Sequence, residues 1–304
     1  INAEYGESMQ EAQMLRDAMK GVGCDKTAII KIIAAHNAQE RANISGQFCA
    51  SFGKELEKEL KRELTGNMET VAIGAFKNRY ELWADEIHQA ISGINNNKHL
   101  IQLIILMNDQ DTIAVCQLYE QRYHKNMFKT ICSDIPNSYD WARLVKAWIA
   151  GQNRSVMDPM QAADQINKAA RGSGTDEDVF IKIMCNCTAD NFRQIAAVYQ
   201  QKYGKPLREI IKKEFAAKSE LAFLLAHDYL MNPLGAVAFA VHYSIHGAGT
   251  DDRMLIDTTL LFSDYFKGQT IIQAYLPFGD LKKELQKDLT GKYEDAILAM
   301  WGIL

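Results

Sequence analysis

Apolar positions along this chain recur at helical spacing. Ile29, Ile30, Ile32 and Ile33 form one stripe on a helix, and Phe180, Ile181, Ile183 and Met184 form a second with the same pattern. The strict alternation of a half-buried strand is not seen. Only five prolines interrupt the chain, and proline costs about 3 kcal/mol inside a helix. The pattern therefore predicts an all-α protein. The longest apolar runs, 100–107 and 221–226, fall well short of the roughly 20 apolar residues that a membrane-spanning helix requires.

The helical stretches are separated by short glycine-rich segments that resemble one another. Gly172-Ser173-Gly174-Thr175-Asp176 recurs as Gly247-Ala248-Gly249-Thr250-Asp251, and a near copy reads Gly21-Val22-Gly23-Cys24-Asp25. A fourth copy, Ser92-Gly93-Ile94-Asn95-Asn96-Asn97, has Asn95 in place of the second glycine. Measured from that position, the copies follow one another at 72, 79 and 75 residues. This predicts four repeats, at 1–82, 83–152, 159–232 and 233–304. Gly151 to Pro159 is the expected linker, and it would split the array into halves. Thr or Asp after each loop is expected to cap the next helix.

Composition narrows the class. With 47% hydrophobic and 24% charged residues the chain reads as soluble and globular. A net charge of −4 gives no sequence-wide attraction to nucleic acid or to anionic lipid, so binding to an anionic surface needs a positive bridge. The six cysteines form no CxxC pair and are expected to be reduced thiols in a cytoplasmic protein. No secretory pattern opens the sequence, and the stretch ahead of the first helical pattern is short.

The loops alone describe a helix–helix turn. A second component adds chemistry. An acid lies 39 or 40 residues after each second glycine position: Glu63, Asp134, Glu214 and Asp288. A hard cation such as Ca2+ takes about six to eight oxygens. Glycines let a loop turn several carbonyls toward one point, and a distant carboxylate can close the shell. A further acid follows six residues on, at Glu69, Asp140, Glu220 and Glu294, either as a minor site or as a charged turn residue. No Gly-Lys-Ser/Thr follows the loops, so they are not phosphate loops. Nor are they the consecutive twelve-residue loop of an EF-hand. His242 and His246 are spaced to share one helix face, but no third ligand accompanies them, and no nucleophile–base arrangement is readable. The chain is not expected to be an enzyme.

Loop, distant acid and fourfold repeat together resemble the annexin family over essentially the whole chain. The resemblance implies four repeats of five helices each, arranged as a curved disc with calcium loops on its convex face. Carried over by position, the metal ligands would be Met19, Gly21, Gly23 and Glu63; Ala170, Gly172, Gly174 and Glu214; and Ile245, Gly247, Gly249 and Asp288. The second repeat keeps Asp134 but loses the cradle, so three principal sites are expected. The family usually carries an arginine thirteen residues after the second glycine; here those positions hold His36, Asn108, Cys187 and Phe262. That divergence suggests a narrower likeness to the α-giardins.

Lys20, Arg171 and His246 stand beside the first glycine of each intact loop. They would either hold lipid phosphate or complement a helix dipole. The expected partner is an acidic phospholipid membrane surface, bound peripherally on the inner face of the plasma membrane, with no nucleic acid involved. The alternative is a cytoskeleton- or flagellum-associated scaffold with partly vestigial calcium sites.

Overall fold

The computed structural model describes every residue except Ile1, 93–96, 152–153, 172–173 and 248. Among the described residues the regular structure is twenty α-helices, which fall into four sets of five. The first set is α1 (Asn2–Ala18), α2 (Lys26–Ala35), α3 (Ala38–Phe52), α4 (Leu56–Glu63) and α5 (Gly66–Ala75). The second is α6 (Arg79–Ser92), α7 (Asn97–Ile105), α8 (Asp109–Tyr123), α9 (Met127–Asp134) and α10 (Asp140–Ala150). The third is α11 (Pro159–Ala169), α12 (Glu177–Asn186), α13 (Ala189–Tyr203), α14 (Leu207–Glu214) and α15 (Ala217–Met231). The fourth is α16 (Pro233–Ile245), α17 (Asp252–Phe266), α18 (Gln269–Tyr275), α19 (Leu281–Asp288) and α20 (Gly291–Trp301). None of these helices is long and apolar enough to cross a membrane.

Local chemistry explains many of the boundaries. Asn37 and Glu40 form a reciprocal capping box at the start of α3, and Asn108 and Asp111 do the same for α8. Asp158 caps α11, with Pro159 in the first turn, where its missing N–H has no consequence. The apolar stripes seen in the sequence are buried: Ile29, Ile30, Ile32 and Ile33 on α2, and Phe180, Ile181, Ile183 and Met184 on α12.

The chain forms two compact units, one of Ile1–Trp83 with Ala240–Leu304 and the other of Ala84–Phe239. The first repeat thus shares a unit with the fourth, and the second with the third. In the first unit, Trp83 packs edge-on against Phe262 at 5.6 Å, and Arg79 lies over the Trp83 ring at 4.9 Å while donating to the Leu261 carbonyl. In the second unit, Phe215 stacks on Phe223 at 3.9 Å, and Phe180 meets Phe215 edge-on.

This division corrects the expectation that the segment around 151–159 separates two halves. That segment lies inside the second unit and is tied to α12. Arg154 donates to the carbonyls of Met184 and Cys187, each at 3.0 Å. The Ser155 N–H donates to the Asn186 carbonyl, and the Thr188 N–H to that of Ser155. Gly151 sits so close to α12 that a Cβ there would lie 2.7 Å from the Cys185 carbonyl oxygen. The six cysteines are unpaired, but only Cys185 and Cys187 are buried, and Cys49 is exposed.

Candidate functional site

Each of the three intact loops closes in the same way. The Asp25 N–H donates to the Ala18 carbonyl at 2.8 Å, that of Asp176 to Ala169 at 3.1 Å, and that of Asp251 to Ser244 at 2.7 Å. Each bond spans seven residues and clasps the loop across its base. The carbonyl positions Met19, Ala170 and Ile245 follow directly after the acceptor residue. Within the clasp, Gly21 and Gly23 have φ of 95° and 92°, Gly174 has 130°, and Gly247 and Gly249 have 139° and 108°. Side chains rarely adopt that region, which is why the loops repeat glycine. Gly172 lies outside the described residues.

The distant acids arrive at the ends of short helices: Glu63 closes α4, Glu214 closes α14 and Asp288 closes α19. The loop then reaches for the acid. The Thr175 hydroxyl donates to Glu214 Oε2 at 2.8 Å, and the Thr250 hydroxyl donates to Asp288 Oδ2. The expected capping is met by aspartate in two of the three loops. The helix caps after the loops are Asp25 and Asp251, which accept from Ala28 and Met254, while Asp176 makes no side-chain cap. Threonine instead joins loop to carboxylate. In the first repeat Cys24 takes its place. Burial pushes the Cys24 thiol up, and the nearby Glu63 charge adds to the rise.

The third repeat shows the fullest site. Ala170, Arg171, Tyr199, Tyr203, Lys213 and Glu214 line one cavity of about 210 Å³. Burial works to raise the Glu214 pKa, but bonds from Lys213 and Thr175 outweigh it and hold the carboxyl below its ordinary value. The acid is thereby kept ionised, with Lys213 on one oxygen and Thr175 on the other. A carbonyl-bearing loop residue and an ionised carboxylate facing one small cavity fit a hard cation.

The three basic residues differ. Lys20 is ion-paired with Asp17 at 2.9 Å. Arg171 is exposed on the cavity rim. His246 is exposed, with its ring centroid 4.4 Å from that of His242, which in turn stacks on Phe278 and meets the Tyr275 hydroxyl. In the second repeat, Asn95 lies outside the described residues, and Asp134 ends α9, exposed. Glu69, Asp140, Glu220 and Glu294 each lie in the first turn of α5, α10, α15 and α20. A carboxylate there complements the helix dipole. One loop feature was not foreseen: Val22 projects wholly into solvent at the first loop's tip.

Paired helical repeats whose clasped glycine loops meet a distant acid define a class of all-α repeat protein. Comparison with known proteins identifies it. The annexin family model matches residues 10–74 and 161–225, within the first and third repeats. Annexin A7 of Dictyostelium discoideum is 27% identical over 295 residues, covering 95% of this chain but 63% of that protein. Human annexin A4 is 28% identical over 305 residues, covering 97% of this chain and 94% of that protein. The solved structure of calcium-bound alpha-14 giardin superposes with a TM-score of 0.85 at 25% identity, covering 99% of both chains. In sequence and in fold the chain is similar to the annexin family.

Proposed function

We propose that the protein binds acidic phospholipid surfaces peripherally and in a calcium-dependent manner, through the loops of its first, third and fourth repeats. The observation that carries this reading is the third repeat's pairing of a clasped, positive-φ loop with an ionised Glu214 across one small cavity. The residues that would hold the cation are Met19, Gly21, Gly23 and Glu63; Ala170, Gly172, Gly174 and Glu214; and Ile245, Gly247, Gly249 and Asp288. Bound Ca2+ would supply the positive charge that a chain of net charge −4 needs to meet an anionic surface. A single carboxylate per site predicts weak binding in solution, on the order of 10⁻⁵–10⁻³ M, with open positions left for lipid phosphate.

The chain's own residues prepare that contact. Thr175 and Thr250 orient the carboxylates, Arg171 offers a guanidinium to phosphate, and Val22 offers apolar surface to the interface. The reading is of a binding protein, not an enzyme, placed at the cytoplasmic face of the plasma membrane. Pelleting with phosphatidylserine vesicles tests it: binding in calcium and release in chelator are expected, and no calcium-dependent pelleting would overturn it.

The likeness to a giardin and the altered second loop favour a second reading, a cytoskeleton-associated scaffold. Cosedimentation with microtubules or actin in chelator would select it.

A further inference from the structure

The second repeat, whose calcium cradle is lost in the sequence, also departs from its siblings after its site acid. In the other repeats the fifth helix begins three residues after the site acid: α5 at Gly66 after Glu63, α15 at Ala217 after Glu214, α20 at Gly291 after Asp288. In the second repeat α10 begins at Asp140, six residues after Asp134. Pro136 gives a physical reason. It lacks an N–H and keeps Ile135 extended, at φ −93° and ψ 131°. A turn follows at Asn137 and Ser138, and Tyr139 is again extended, at φ −113° and ψ 137°.

The longer loop turns a side chain outward. Tyr139 stands one residue before the second acid, where the first repeat has Met68. Met68 is 5% exposed and Tyr139 is 56% exposed. The Tyr139 ring stacks near Trp141, with centroids 6.4 Å apart and planes 18° apart, while Trp141 is itself buried. Lys218 brings its ammonium over the Trp141 ring at 6.0 Å. Asp134, Pro136, Tyr139, Trp141, Lys218 and Ser219 line one cavity of about 580 Å³. One wall thus carries the second repeat's counterpart of the site acids, and the other is the segment that follows Glu214. The cavity therefore opens beside the third repeat's candidate calcium site.

We infer that this cavity is a calcium-independent contact for a phospholipid headgroup that carries both phosphate and ammonium, and that it takes over from the second repeat's missing cradle. The inference rests on the membrane-binding reading above. The Lys218 ammonium, held over the Trp141 ring at the cavity, would meet the phosphate. Asp134 and the aromatic faces receive the headgroup ammonium. Tyr139 has the amphipathic ring that settles at a membrane–water interface. Asp140 does not compete, because Arg143 pairs with it.

The test is vesicle titration at saturating calcium, with phosphatidylserine vesicles. Tyr139→Ala and Lys218→Ala are each expected to lower affinity about fivefold, on the order expected for one interfacial cation. The loss should persist however far calcium is raised, whereas added calcium should repair Glu214→Gln. Tyr139→Trp should retain affinity, and its added fluorescence should shift to the blue and be quenched by brominated lipid. Unchanged melting temperatures would show that the variants fold. Both alanine variants binding like the parent protein, or emission from Tyr139→Trp that stays solvent-like on vesicles, overturns the contact alone. A parent protein that stays in solution at every calcium concentration overturns the calcium reading and this contact with it.

Discussion

Arg41 and Asp264 are 223 residues apart in sequence and form an ion pair at 3.1 Å, between a buried guanidinium and a half-buried carboxylate, that joins the first repeat to the fourth. The Arg41 guanidinium also donates to the carbonyls of Ile33, His36 and Ala75, so it closes the C-terminal ends of two helices. Asp264 in turn accepts from the Ala38 N–H at 2.7 Å, at the start of α3. Removing one partner of such a pair leaves a buried charge. Asp264→Ala is expected to destabilise the first unit by about 3 kcal/mol, lowering its thermal midpoint by several degrees. Scanning calorimetry should show a shifted transition, and a midpoint within a degree of the parent would contradict the assignment.

Arg41 also reaches the end of α2 at His36, the position where the family usually carries an arginine. It donates to carbonyls ten and thirteen residues past the second loop glycine, at Ile33 and His36. Arg154 donates to the equivalent pair in the third repeat, Met184 and Cys187, from the segment between repeats. Two arginines from unrelated sequence positions thus serve the same helix end.

Ala217 begins α15 with φ of 53°, where Gly66 and Gly291 stand at 63° and 65° in the first and fourth repeats. A side chain in that region costs roughly 1–2 kcal/mol. Ala217→Gly should therefore stabilise the second unit by about 1 kcal/mol after glycine's added unfolded-state entropy is counted. Chemical denaturation measures it, and a destabilised variant would show that the strain is not there.

The hydroxyl-to-carboxylate bond predicts a ranking of sites. Thr175→Val removes the donor to Glu214 and should raise the calcium needed for vesicle binding about tenfold, the size of one charge-assisted hydrogen bond. Cys24→Thr restores that donor in the first repeat and should move its calcium requirement the other way. Calorimetric titration of both variants checks the pair, and equal calcium binding by Thr175→Val and the parent would remove the bond from the account.

Two tyrosines predict the alkaline limit of the fold. Burial pushes Tyr229 up to about 12, aided by the Asp111 and Asp109 charges. Burial also pushes Tyr123 up to about 12, aided by its hydrogen bond to Asp85. The folded protein holds these protons through the window from the ordinary value of 10.0 to about 12, where the unfolded chain has released them. Their contribution is complete below pH 10 and is lost as pH rises toward 12. Ultraviolet titration should show Tyr123 and Tyr229 among a group of late tyrosines, with Tyr275 and Tyr293 raised still further by burial, all of which ionise early once the chain is unfolded in denaturant. Simultaneous titration of all twelve tyrosines in the folded protein would refute this.

The sequence by itself determined the all-α fold, the fourfold repeat and the pairing of glycine loop with distant acid. These are local or periodic properties: a helical stripe, a glycine where φ must be positive, and a fixed offset set by helix lengths. Tertiary structure decided which repeats share a core, because the partners are far apart in the chain, as Arg41 and Asp264 show. It decided that threonine joins the acid and does not cap the helix, since a hydroxyl has several acceptors in reach and only packing selects one. It also turned Tyr139 outward: Pro136 is visible in the sequence, but the direction of a side chain at the end of a lengthened loop depends on the helices that surround it.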